Sequence, residues 1–190
     1  MMLRISFLLS LLLLFGASCL SATAQLNFET EELVFTLSDS LLAFDGVFTF
    51  SNNSDEGVRR HIIFPIPTDE FQLPCEDASV SWDESSEPIE MQVSEQGLWF
   101  GLELSAKSVK QLRITYRQKL KAKRAKYTLL TANAWPKPLA FVHYEVILPP
   151  EARITRYPFA EEDVSDYKPG SKIWQYFSFR PTEDFYIEWE

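Results

Sequence analysis

The sequence predicts an all-β protein, a single antiparallel β-sandwich of about ten strands. Three observations lead to this prediction. Apolar residues beyond residue 25 recur with a period of two, which is the periodicity of strands that bury one face. The alternating runs are short, and clusters of turn-forming residues separate them. Hydrophobic residues make up 46% of the chain and aromatic residues 14%, so the chain has the apolar surface of a folded core and is not disordered.

The predicted strands follow one another in order. The first two runs, 33–37 and 44–50, alternate between core-facing and outward-facing residues, and Asp45-Gly46 is predicted to form a bulge in the second run. Turn formers at 52–57 then return the chain. Residues with high helix propensity near 120–126 are compatible with a short helical turn there. The later strands are predicted at 58–64, 78–82, 89–93, 98–104, 109–119, 127–131, 140–148, 152–157, 173–179 and 185–189.

The first 24 residues have the pattern of a secretory signal peptide. Arg4 precedes an apolar run at 5–15, and the small residues that follow end in Ala22-Thr23-Ala24. The apolar run is shorter than the roughly 20 residues that a spanning helix needs. We therefore predict a signal peptide at 1–24 that is removed, and one exported domain at 25–190 that is periplasmic or extracellular. The alternative is an uncleaved anchor, and only in that case would the protein contact a membrane.

Motifs for catalysis and for metal binding are absent from the sequence, so we predict no enzymatic activity, no metal and no cofactor. The chain has only 2 histidines and lacks a Gly-rich phosphate loop, a nucleophile elbow and cysteine pairs at metal-binding spacing. Once the signal peptide is removed, Cys75 is the remaining cysteine, so an intramolecular disulfide is excluded. A hydrolase that pairs Cys75 with a histidine, or that uses two carboxylates, is the third-ranked interpretation.

Charge is strongly segregated along the chain. Residues 25–103 contain 17 acidic and 2 basic residues, whereas residues 104–144 contain 10 basic residues and no acidic one. We call residues 107–126 the basic ribbon. We expect neighbouring acidic strands to balance the charge of this ribbon, and the alternative is that it binds the phosphate, sulfate or uronate groups of a ligand such as an anionic glycan. An acidic, exported chain is a poor match for nucleic acid. The candidate ligand-binding residues of the ribbon are Arg113, Arg117, Lys119, Lys121 and Lys123.

Trp135 is the second candidate binding feature. It lies in a loop that Pro136 and Pro138 make rigid. An exposed indole on a rigid loop stacks on a sugar ring, whereas a buried indole would plug the open end of the sandwich. If the strands 109–119 and 127–131 pair as a hairpin, the basic ribbon ends at the hairpin tip and Trp135 lies at the opposite end.

Residues at turns and strand ends also resemble a known family. A strand leads into Asn52-Asn53-Ser54, the return strand closes in Phe64-Pro65-Ile66-Pro67, and a later strand ends in Tyr116. This arrangement resembles VIT-type β-sandwich domains. It is also similar to secreted bacterial families of unknown function, in which Tyr127-x-Leu129-x-Thr131 precedes a tryptophan such as Trp135. The resemblance covers residues 41–148 and implies an interaction or scaffolding module without an active site.

The sequence as a whole thus predicts an exported, non-enzymatic β-sandwich that acts as an interaction or scaffolding module at the cell envelope, with an unknown protein as its partner. The alternative is a carbohydrate-binding module that uses the Trp135 loop and the basic ribbon to hold an anionic glycan.

Overall fold

The computed structural model describes residues 26–166 and 168–190, so the predicted signal peptide lies outside the described residues. Two short 3₁₀-helices are described, Leu130–Ala134 and Glu161–Asp163. Neither these nor any other helix in the described ranges has the length and apolar character that a membrane crossing requires. The strands of this part of the chain are β1 (Leu26–Leu37), β2 (Leu41–Asn52), β3 (Val58–Pro65), β4 (Gln72–Trp82), β5 (Met91–Ser94), β6 (Gly97–Leu104), β7 (Ser108–Leu120), β8 (Arg124–Tyr127), β9 (Leu139–Ile147), β10 (Ile154–Arg156), β11 (Ser165–Asp166), β12 (Ser171–Phe179) and β13 (Phe185–Trp189).

The strands form one large sheet and two small ones. The seven-stranded sheet has the order β11-β12-β9-β1-β2-β7-β4, and the three-stranded sheets are β10-β13-β8 and β3-β6-β5. β1 and β9 pair in parallel, from Thr30 with Phe141 to Thr36 with Ile147, whereas the other pairs of strands are antiparallel. The all-β prediction is confirmed, but a simple antiparallel sandwich of about ten strands is wrong. Alternating hydrophobicity indicates which face a strand buries, and it does not indicate the direction of the neighbouring strand.

The core lies between one face of the seven-stranded sheet and the two small sheets. Phe35 of β1 stacks on Phe185 of β13 with ring centroids 4.3 Å apart. Phe44 of β2 contacts Tyr127 of β8 at 5.4 Å and Phe64 of β3 at 5.9 Å. Large aromatic side chains bury the most apolar area, so these contacts contribute strongly to the free energy that favours packing of the small sheets on the large one. They hold β3 and β8 over the centre of the large sheet.

The segment that follows β7 differs from its prediction in two ways. The helical turn expected near 120–126 is wrong, because the chain bends at 121–123 and continues as β8. The strand expected at 127–131 ends at Tyr127, and the 3₁₀-helix Leu130–Ala134 follows. β8 pairs with β13, while β7 lies between β2 and β4, so the hairpin considered for the basic ribbon does not form. The chain therefore crosses here from the large sheet to a small one.

The bulge predicted at Asp45-Gly46 is also wrong, because β2 pairs regularly with both neighbours through Gly46. A Cβ atom at Gly46 would lie 2.8 Å from ring atoms of Phe44 and of Phe48, and 2.9 Å from the side chain of Leu33. Glycine at this position therefore makes room for two large rings on the same face of β2.

Candidate functional site

A β-bulge in β1 turns an acidic side chain into the core. Phe28 pairs with Phe50 and Thr30 pairs with Thr49, so one residue of β1 between them is the additional residue of the bulge. Leu26 and Phe28 are buried before the bulge, whereas Glu31, Leu33, Phe35 and Leu37 are buried after it. The bulge therefore keeps both parts of β1 facing the core, and it places Glu31 on that face.

Glu31 is only 2% exposed and has few polar neighbours. The Tyr127 hydroxyl donates a hydrogen bond of 3.3 Å to Oε2 of Glu31, and Oε1 has no hydrogen-bond partner among the described residues. The Tyr144 hydroxyl is close enough to favour the charged carboxylate, although it does not complete a hydrogen bond of normal geometry. Burial raises the pKa of Glu31 from 4.5 to about 7, and the two tyrosines limit this rise.

Glu31 lines a cavity of about 480 Å³ between the seven-stranded sheet and β3. The walls are mostly aromatic and aliphatic, and they include Phe28, Phe48 and Trp135. Arg60 and Thr131 line the cavity as well and are exposed, so they mark its outer rim. Small-molecule sites usually have volumes of about 300–1,000 Å³ and a few polar groups in apolar walls, and this cavity has both properties.

Trp135 forms one wall of the cavity and is half-buried. Its ring centroid lies 5.7 Å from that of Phe28 and 5.7 Å from that of Phe50. The loop is fixed at two points, because Asn133 Nδ2 donates to the Pro181 carbonyl and Arg180 donates to the Pro136 carbonyl, each at 2.8 Å. Trp135 therefore packs on the core with one part of its side chain and remains accessible with another.

Most of the candidate residues of the basic ribbon form ion pairs with neighbouring acids. Arg113 contacts Asp45 of β2 and Asp83, and the hydrogen bond to Asp45 raises the pKa of the Arg113 guanidinium. The other pairs are Arg117 with Asp77 at 3.5 Å, Lys119 with Glu76 at 2.7 Å and Lys123 with Asp39 at 3.2 Å, while Lys121 is exposed. These acids lie beside the ribbon because β7 runs between β2 and β4, which belong to the acidic part of the chain. The arrangement favours charge balance for the ribbon.

Trp135 and the last part of the basic ribbon, residues 119–126, lie at opposite ends of β7. Trp135 packs on Phe50, which pairs with Lys110 near the beginning of β7. Lys119 pairs with Leu41 near the end of β7, and Lys121 and Lys123 follow it in the chain. The structure thus does not bring Trp135 together with Lys119, Lys121 and Lys123, and a single small ligand cannot touch Trp135 and these three lysines.

Cys75 and His143, one pair considered for a hydrolase, do not come together either. Cys75 on β4 and His143 on β9 are separated by β7, β2 and β1, which is four strand spacings or about 19 Å. His61 lines the cavity, which Cys75 does not line. Burial also raises the pKa of the Cys75 thiol, which disfavours the reactive thiolate. Within the described residues, no group of three or more potential metal ligands occurs.

Sequence reasoning did not find Glu31, Tyr127 and Tyr144 as a cluster. One signal was present, because Glu31 shares the phase of Leu33, Phe35 and Leu37, and an acid in that phase is a polar group on a core-facing position. The two tyrosines come from β8 and β9, and only the tertiary fold brings them to the carboxyl group.

The fold and the cavity define an all-β domain in which an open, mostly apolar cavity with one carboxyl group lies between two layers of sheet. No family model and no curated protein matches the sequence. Solved structures do match. A protein from Legionella pneumophila, described as a proposed nutrient binding protein, is 13% identical to this chain with a TM-score of 0.68, and the match covers 89% of this chain and 68% of that one.

An M1 zinc metallopeptidase from Deinococcus radiodurans is 14% identical with a TM-score of 0.50, and the match covers 87% of this chain and 43% of that one. The chain therefore spans less than half the length of this peptidase. At such low identities the likeness is evidence for the fold alone.

Proposed function

We propose that the protein is an exported, non-enzymatic binding module that holds a small, mostly apolar molecule in the cavity beside Trp135. The observation that carries this proposal is the cavity of about 480 Å³ with its aromatic walls and a single buried carboxyl group. A chamber of this kind leaves apolar surface without a packing partner, and a ligand that fills it would gain the dispersion contacts that the walls lack.

Two further observations support a binding role. Cys75 and His143, the pair considered for a hydrolase, do not line the cavity. The structural neighbour from Legionella pneumophila is described as a proposed nutrient binding protein, and a binding role for the same fold agrees with a ligand-sized chamber in this chain.

The test is a titration with the neutral, apolar fluorophore N-phenyl-1-naphthylamine, whose emission rises when it leaves water. We expect saturable binding at one site. The blocking variant is Ala134→Trp, because Ala134 lines the cavity at an exposed position and a bulky side chain there fills space without disturbing the core. The matched control is Ala106→Trp, which places the same side chain in an exposed turn that does not line the cavity.

Loss of binding in Ala134→Trp with full binding in Ala106→Trp is the expected pattern. Equal binding by both variants, or no saturable binding by the unmodified protein, would contradict the proposal.

A protein partner is the second candidate, and one observation favours it. Ile63 of β3 and Trp99 of β6 are paired neighbours and are 47% and 39% exposed, so together they place apolar surface on the outer side of a small sheet. Such a surface would serve the interaction or scaffolding role that the sequence predicts. Trp99→Ser, at the residue of this pair that does not line the cavity, would weaken this interaction and leave binding in the cavity unchanged.

A further inference from the structure

Glu31 is a buried carboxyl group without a cationic partner among the described residues. No lysine, arginine or histidine contributes to its pKa, and none of the described ion pairs includes it. Buried carboxylates in proteins are normally paired or bound to several hydrogen-bond donors, because a solitary buried charge is costly. Within the part of the chain that the structure describes, Glu31 accepts a hydrogen bond from Tyr127 and its Oε1 atom accepts none.

The position of Glu31 indicates where the missing partner comes from. Its side chain lines the cavity, directly after the bulge of β1, and accepts a hydrogen bond from Tyr127, which lines the same cavity. A leucine or phenylalanine at this position would continue the alternation of Leu33 and Phe35 and would complete the core. A carboxyl group instead reduces stability at neutral pH, and this cost is offset when a ligand supplies the partner.

We propose that the ligand of the cavity has a protonated amine attached to an apolar body, and that the amine pairs with the carboxylate of Glu31. This inference rests on the proposed function, because the ligand occupies the same cavity. The apolar body would pack against Phe28, Phe48 and Trp135, while the ammonium group donates hydrogen bonds to Glu31. The electron-rich ring of Tyr127, which also lines the cavity, would add a favourable cation–π contact.

Other charged and titratable groups near the cavity determine which other kinds of ligand could bind there. Tyr127 of β8 and Tyr144 of β9 face Glu31, and burial raises the pKa of both hydroxyls, so both stay neutral, and the Tyr127 hydroxyl donates to Glu31. Arg60 and His61 of β3 line the cavity at exposed positions. A ligand with a carboxylate would be drawn to Arg60 at the rim, whereas a ligand with an amine would be drawn to Glu31 inside.

The experiment compares three small probes of similar shape: 2-phenylethylamine, 2-phenylethanol and 3-phenylpropionate. Binding is measured by isothermal titration calorimetry with the full chain at about pH 8.5, where Glu31 is charged, and at about pH 5.5, where it is protonated. We expect the amine to bind at least about tenfold more tightly than the alcohol at the higher pH, which corresponds to a modest charge pair. This preference should disappear at the lower pH.

Two variants make the comparison specific. Glu31→Gln keeps the shape of the side chain and its hydrogen-bonding capacity but removes the charge, so amine and alcohol should bind it equally well. Glu32→Gln is the matched control, since Glu32 lies on the exposed face of the same strand, and it should keep the preference for the amine.

The possible results separate the two proposals. Equal binding of alcohol and amine by the unmodified protein at the higher pH would overturn the amine inference and leave the apolar cavity as a binding site. Tighter binding of 3-phenylpropionate would overturn it in favour of recognition at the rim. If none of the three probes binds and N-phenyl-1-naphthylamine does not bind either, the proposed function itself fails.

Discussion

Replacing Glu31 with glutamine should stabilise the protein at alkaline pH and should change how its stability depends on pH. The pKa of Glu31 is about 7 in the folded protein, and the ordinary value of 4.5 applies to the unfolded chain. The folded state therefore binds more protons than the unfolded state between these two values, so the free energy of unfolding falls as pH rises through this window.

The size of the effect follows from the same two values. One pKa unit corresponds to about 1.36 kcal/mol, so the difference between 4.5 and about 7 amounts to about 3 kcal/mol. This contribution of Glu31 to the free energy of unfolding is fully present below about pH 4.5. It is lost progressively as the pH rises to about 7 and is absent above that pH. Glutamine does not titrate, and thus Glu31→Gln should lose this part of the pH dependence.

Urea unfolding of both proteins at intervals between about pH 5 and pH 9 measures the effect. Other groups titrate in the opposite direction. Glu145 is an example, because its ion pair with Lys168 and its hydrogen bond from Ser171 hold the pKa below its ordinary value despite some burial. The informative quantity is therefore the difference between Glu31→Gln and the unmodified protein, with Glu32→Gln as the control. A difference that does not change between about pH 5 and pH 9 would refute the reasoning.

Three further predictions concern the walls of the cavity and the basic ribbon. Tyr127→Phe removes the hydrogen bond that favours the charged carboxylate of Glu31, so the pKa of Glu31 should rise further. The measurement is a pH titration followed by ¹³C NMR of the side-chain carboxyl carbon. An unchanged titration would show that the hydrogen bond does not form. Trp135→Ala removes the ring that packs on Phe28 and Phe50. Thermal unfolding should show that the free energy of unfolding falls by about 2 kcal/mol, and N-phenyl-1-naphthylamine should bind more weakly. Unchanged stability together with unchanged binding would mean that the ring is not part of the cavity wall. Heparin-like glycans should not bind at physiological salt, because most basic residues of the ribbon are already ion-paired, namely Arg113, Arg117, Lys119 and Lys123. Salt-sensitive binding would restore the glycan interpretation if it disappears on charge reversal at Arg117, Lys119, Lys121 and Lys123.

The strands were largely predictable from the sequence because each one buries a single face. Alternation in β1, β2, β7 and β9 is visible in the chain, and the structure buries the expected residues, such as Phe44, Phe48 and Phe50. Pairing was less predictable. β1 and β9 are distant in sequence and pair in parallel, and β8 pairs with β13 instead of β7, because side-chain packing across the core decides these partners.

The candidate site was harder to predict for a related reason. Glu31 faces the core, and the bulge that keeps Phe28 on the same face leaves no clear mark in the pattern of residues. The ion pairs of the basic ribbon join residues up to 84 positions apart, Lys123 with Asp39, so the sequence shows the segregation of charge and not its neutralisation between adjacent strands.

The most direct test of the central claim is to locate a bound apolar molecule by methyl NMR. Spectra of ¹³C-methyl-labelled protein would be recorded during a titration with 2-phenylethanol. Occupation of the cavity predicts saturable shifts in the methyl signals of Leu26, Ile62 and Leu129, which line it, and unchanged signals for Ile154 and Ile173, which do not. Shifts spread evenly over both groups, or no shifts in the cavity signals, would contradict the account.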